Sequence, residues 1–241
     1  GHSTGAIYIA KWLRAWDAKY PDDPARFEIA YLAPAVRYDV LSKALEVAGQ
    51  HIADGRFRVF TMNGAEELDN SEGPAPGIRR VLFRPSLLYA ISGIFETDLD
   101  APLVGMARFH DPNPPFPSPG TYPIQSSLAP VDAIPVVDRW LRNHAVKTAF
   151  VLSPTPDDAP LGVTSGSCLH GDFVWDEQTI DSLKALTSGE GWDAVPKPGT
   201  GTCSETRDKK GRKISNKSVQ ALGRRMSPDA PEAAIKANPP R

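Results

Sequence analysis

Gly1-His2-Ser3-Thr4-Gly5 opens the chain, and an amphipathic stretch runs straight out of it. A G-x-S-x-G run suits a sharp strand-to-helix turn that must push a serine hydroxyl into a cleft, because the flanking glycines relieve crowding around the strained residue. Ser3 is therefore the first candidate nucleophile. The Thr4 N–H, at the start of the following helix, is the candidate oxyanion-hole donor. Such a turn follows a buried strand. The expectation is that this chain is the carboxyl-terminal part of a larger enzyme, inactive by itself.

Working outward, Ile9, Trp12, Leu13 and Trp16 recur at helical spacing and predict one apolar stripe over residues 6–19, stopped by Pro21-Asp22-Asp23-Pro24. Trp12 and Trp16 read as core residues. Phe27 to Leu32 reads as a strand ending at Ala33-Pro34, residues 41–51 as a helix, and Arg56 to Met62 as a second strand closing at Asn63-Gly64. Thr148 to Leu152 is a third strand candidate. Strands alternating with helices predict an α/β fold, a mostly parallel sheet with helices on both faces.

About eighty residues separate the second and third strands. They hold a helix candidate at residues 86–96 and the proline-rich run from Asp111 to Pro123, and residues 84–145 read as an inserted lid or pocket segment. Leu87, Leu88, Tyr89, Ile91 and Phe95 either line a pocket or pack. After Trp192 the pattern dissolves. Residues 1–195 read as the folded body and residues 196–241 as a disordered basic tail, in which Ser204 to Arg241 carry ten Lys/Arg against four Asp/Glu.

The 241 residues are 41% hydrophobic and 23% charged, ordinary for a domain with a real core, and the 24 prolines are about twice the usual share. Cys168 and Cys203 make no disulfide framework and no metal-ligand spacing. The compartment stays open, with a cytoplasmic setting as the default. No apolar run is long enough to span a bilayer. There is no G-x-G-x-x-G after a strand and no P-loop, so no nucleotide or metal cofactor is expected. The tail lacks interleaved aromatics, so no nucleic-acid partner is expected either.

The candidate base is His170, within Ser165-Gly166-Ser167-Cys168-Leu169-His170-Gly171-Asp172-Phe173. This Gly- and Ser-rich loop follows the last strand and precedes a helix candidate at residues 176–186, where a general base can be held over the sheet's carboxyl edge. His2 is expected to pack beside the turn. His51 and His144 sit at ends of helix candidates, and His110 has no catalytic surroundings. The orienting acid should follow the second strand. Glu67 is the first candidate, Asp69 the second and Glu66 the third, with Asp39, Asp157 and Asp158 outside.

Taken together, Gly1 to Gly5, Ala33-Pro34, the acidic loop and His170-Gly171-Asp172-Phe173 resemble the α/β-hydrolase superfamily, in the order Ser, acid, His. Residues 1–190 carry the resemblance. Pro85 to Tyr89 and Pro102 to Met106 are similar to uncharacterised bacterial members. The resemblance implies a serine hydrolase of the esterase or lipase type, acting on a small acyl ester through an acyl-enzyme. It also implies first strands and a second oxyanion donor upstream of Gly1. A serine in the turn points away from the members whose chemistry needs a carboxylate nucleophile. The alternative is a non-catalytic binding protein on the same scaffold.

Overall fold

A computed structural model of the chain describes residues 1–68, 85–98, 100–110, 131–195 and 203. Helix α1 spans Gly5–Lys19, strand β1 Phe27–Leu32, helix α2 Tyr38–Ala48, strand β2 Ile52–Met62 and the short helix α3 Gly64–Leu68. Helix α4, Leu87–Ala90, continues into a wider π turn over Ile91–Phe95. Helix α5 is Ala133–Asn143, strand β3 Phe150–Ser153 and helix α6 Glu177–Thr187.

The strands form a parallel sheet in the order β1-β2-β3, with Leu32 opposite Phe60 and Met62 opposite Ser153. On the free side of β1, His2 makes a parallel bridge with Leu32. Ser3 N–H donates to the Leu32 carbonyl and Leu32 N–H to the Gly1 carbonyl, both at 2.9 Å. The first residues thus behave as the last residues of a neighbouring parallel strand.

Both faces of the sheet are covered, and β2 is buried without interruption from Phe57 to Met62, as a parallel strand between two helical layers should be. Phe57 and Val59 face α1, α2 and α5 through Ala10, Leu13, Leu41, Leu45 and Val137. Phe60 and Met62 face the other way, toward Phe173, Leu186 and Trp192. The expected α1 stripe is rotated. Ala6, Ala10 and Leu13 are its buried residues, while Trp12 and Trp16 sit half-buried on the flank against Phe27, with ring centroids 4.9 and 5.3 Å from it. Small alanines let the helix approach closely, and the two large rings seal its edge.

The segment Ala101–Ala107 is buried throughout and crosses the carboxyl edge of β1. Val104 N–H donates to Val36, Gly105 N–H to Pro34 and Tyr38 N–H to Pro102. A Cβ at Gly105 would stand 2.5 Å from the Pro34 carbonyl oxygen, so only glycine fits there.

One expectation is corrected. Cys168 and Cys203, 35 positions apart in sequence, are joined in a disulfide with Cα atoms 5.9 Å apart. Spacing alone could not reveal it, because the pairing depends on where the chain returns. The tail is therefore anchored to the body at Cys203, and Cys203 N–H also donates to Glu66 Oε1 at 3.3 Å. The proline-rich run, Asp69 and the rest of the tail lie outside the described residues. Among the described residues, no helix is long and apolar enough to cross a membrane.

Candidate active site

Ser3 stands where the bridge with Leu32 ends and α1 begins, and its φ is 51°. That is the left-handed region, costing a residue with a Cβ about 1–2 kcal/mol. Several backbone bonds hold it there. Besides Ser3 N–H to Leu32, the Ser3 carbonyl accepts from Ala35 N–H at 3.0 Å and from Ala6 N–H at 3.1 Å. Thr4 and Ala6 already belong to the first helical turn, so the strain is confined to one residue. Among the described residues, no backbone carbonyl accepts from the Thr4 N–H, which lies at the helix start.

His170 lies on the loop between β3 and α6, and is only 4% exposed. Strands in a sheet lie about 4.8 Å apart, so β3 is about 14 Å from the His2 bridge, three strands across. The loop spans that gap. His170 meets His2 with ring centroids 5.1 Å apart, tilted by 44°, and its carbonyl oxygen lies 3.1 Å from His2 Nε2. The proposed base thus comes to rest beside the residue that precedes Ser3. Burial pushes the His170 imidazole down to about 4, and His2 adds to the effect. Among the described residues, neither ring nitrogen of His170 has a hydrogen-bond partner.

A network of buried hydroxyls holds this loop. Ser153, at the end of β3, donates its Oγ to the Ser167 carbonyl at 2.6 Å, and Ser165 Oγ lies 2.8 Å from both Ser153 Oγ and Thr179 Oγ1. Asp176 Oδ2 accepts from Gly166 N–H at 2.7 Å and from Thr179 N–H at 2.9 Å, capping α6 and anchoring the loop together. Sequence reasoning placed Asp176 at the helix start without assigning it this role. Its signal was the Asp-x-x-Thr spacing of a cap.

The acid candidates fall in different surroundings. Glu67 is fully buried in α3, and its Oε2 accepts from Ala107 N–H at 3.0 Å. Its Oε1 has no partner among the described residues. Burial drives its carboxyl well above the ordinary range, opposed by the Ala107 N–H and the Arg108 charge. Glu66 holds the Cys203 N–H. Asp39 is engaged by the Arg37 guanidinium, which also reaches Glu96 and Asp98. Asp157 and Asp158 are exposed beyond β3. Asp69 is outside the described residues. The structure thus brings His170 against His2, the residue before Ser3, and bonds none of the described acid candidates to its ring nitrogens.

The other histidines have structural partners. His51 Nε2 is 3.3 Å from Asp17, His144 stacks on Trp140, and His110 stacks on Phe150 at 3.8 Å. Of the expected pocket residues, Leu88 and Tyr89 pack with Ala35, Leu103 and Met106, whereas Leu87 and Phe95 are exposed. Among the described residues, no group of three or more His, Cys, Asp or Glu could hold a metal ion. Compared with known proteins, the chain matches no family model, no curated protein and no solved structure.

Proposed function

We propose that this chain carries the nucleophile and base of an α/β-hydrolase-type serine hydrolase acting on an ester or related acyl substrate. The observation that carries this reading is the left-handed backbone of Ser3 at a strand-to-helix turn, with His170 packed against His2, the residue before it. Backbone strain at a non-glycine residue is retained where the surrounding structure enforces it, and such positions cluster at catalytic sites.

In this reading Ser3 Oγ attacks the substrate carbonyl carbon while His170 takes its proton. The oxygen of the tetrahedral intermediate turns toward the Thr4 N–H. The ester C–O bond then breaks, and His170 returns the proton to the departing alkoxide. Water attacks the acyl-enzyme through the same base and regenerates Ser3. Glu67 is the acid assigned to orient His170, with Asp69 as its rival.

The second reading is a binding protein on the same scaffold, without turnover. One observation favours it: the His170 ring nitrogens lack an orienting carboxylate among the described residues. Treatment of the natural gene product with a fluorophosphonate separates the two. The hydrolase reading expects covalent labelling at Ser3 that Ser3→Ala abolishes, and an unlabelled protein decides for binding.

A further inference from the structure

We propose that His2 is a positioning residue, whose Nε2–H holds the His170 loop against the nucleophile turn. The inference rests on the hydrolase reading above and adds a residue that the triad does not contain.

The argument begins with direction. A backbone carbonyl oxygen can only accept, so the 3.1 Å contact between His2 Nε2 and the His170 oxygen requires the proton on Nε2. The acceptor belongs to the backbone of the base itself, so the bond fixes where the His170 Cα can lie. The donor belongs to the residue immediately before Ser3, whose backbone is pinned to β1 by the bridge with Leu32. One side chain therefore joins the two reacting residues through rigid backbone at both ends. The rings also pack on each other, with centroids 5.1 Å apart, and this closes one side of the imidazole.

The alternative anchors of the loop lie elsewhere. Ser153, Ser165, Thr179 and Asp176 fasten residues 165–167 to α6 and to β3, the edge strand opposite the His2 bridge. Cys168 is tied to Cys203. These contacts set the loop's root. At His170 itself, the contact with the residue before Ser3 is the one from His2. A displacement of about 1 Å at a reacting group can cost about a hundredfold in rate, so a bond of this kind controls acylation without touching substrate.

Two amides distinguish positioning from mere filling of space. The glutamine amide nitrogen falls where imidazole Nε2 lies, whereas the asparagine amide nitrogen falls near Nδ1. Labelling of the natural gene product by a fluorophosphonate is followed in time for wild type and for His2→Gln, His2→Asn and His2→Ala. His2→Gln is expected to stay within about threefold of wild type, because it retains the donor. His2→Asn and His2→Ala are expected to slow labelling by about tenfold or more. With p-nitrophenyl acetate the loss should fall on kcat, with KM changed by less than about twofold.

Equal rates for the Gln and Asn variants, or a wild-type rate for His2→Ala, overturn the inference while leaving labelling at Ser3 intact. A wild type that is not labelled overturns the hydrolase reading and this inference with it. If His2→Ala does not fold, the comparison of Gln with Asn decides alone.

Discussion

Cys168, two residues before His170, is covalently joined to Cys203, whose N–H reaches Glu66 on the acidic helix α3. The carboxyl-terminal segment is thus fastened both to the loop that carries the proposed base and to the helix that carries the candidate acids. In a chain-entropy account, closing a loop of this length removes about 4 kcal/mol of freedom from the unfolded chain. Cys203→Ser should lower unfolding free energy by about 2–4 kcal/mol in urea titrations. Dithiothreitol should destabilise the parent protein and leave the variant unchanged. Equal stability of parent and variant under oxidising conditions would refute the link.

Strain at Ser3 has a stability signature separate from activity. A left-handed residue loses its steric conflict when the Cβ is removed. Ser3→Gly should therefore be more stable than Ser3→Ala by about 1 kcal/mol, although the hydrolase reading expects neither variant to be labelled. The ordinary order, in which glycine is the less stable, would mean that the turn is relaxed.

Glu67 tests the acid assignment. Burial pushes its carboxyl well above the ordinary range, and glutamine has almost the same shape. Glu67→Gln should change stability by less than about 1 kcal/mol, since the Ala107 N–H keeps an acceptor. If Glu67 orients His170 during turnover, the same variant should slow labelling by about a hundredfold or more. A normal labelling rate in Glu67→Gln, with a slow one on substitution of Asp69, would transfer the role.

Stability should fall on acidification through His170. Its folded-state value, about 4, lies below the ordinary 6.5. The unfolded chain therefore binds the proton first, and this stabilisation, complete above pH 6.5, is lost as pH falls through 4. His110, partly buried and pushed down to about 3 by burial alone, acts with the same sign. Glu67 acts oppositely, favouring the folded state at low pH. Between pH 6.5 and 4, His170→Gln should remove a slope of up to about 1.4 kcal/mol per pH unit from the unfolding free energy. An unchanged slope would mean that the imidazole is solvated.

Arg58 is the charged residue inside the second core. Its guanidinium donates to the Gly162 carbonyl at 3.0 Å and the Trp192 carbonyl at 2.7 Å, and burial lowers it to about 10. It thereby pins two loops whose glycines, Gly162 and Gly191, touch backbone to backbone. Arg58→Ala should cost about 3 kcal/mol or more, because two buried carbonyls lose their donors and a cavity opens beside Trp192. Thermal unfolding of the variant checks this. A loss below about 1 kcal/mol would mean that water replaces the guanidinium without penalty.

How far the sequence reached is clearest at particular residues. The short apolar stretch Phe27–Leu32, and the alternation of Arg56 to Met62 running into Val59-Phe60, were enough to place two strands, because strand patterning is local, and the helices between the strands pointed to a parallel sheet. Ser3 was legible for a similar reason, since the tight turn brings Gly5 backbone within 2.9 Å of where a Cβ on Gly1 would stand. Three contacts were not legible. The disulfide between Cys168 and Cys203, the seating of His170 against His2, and the burial of Glu67 under Ala107 each join residues at least 35 positions apart. Arg58 reads as a solvated strand residue until Gly162 and Trp192 arrive from more than a hundred positions away. Patterning along the chain selects each element and the side it buries, because those preferences act over a few residues. Which loops meet at the carboxyl edge of the sheet, and which polar atoms lose their water there, is decided only when distant segments pack together.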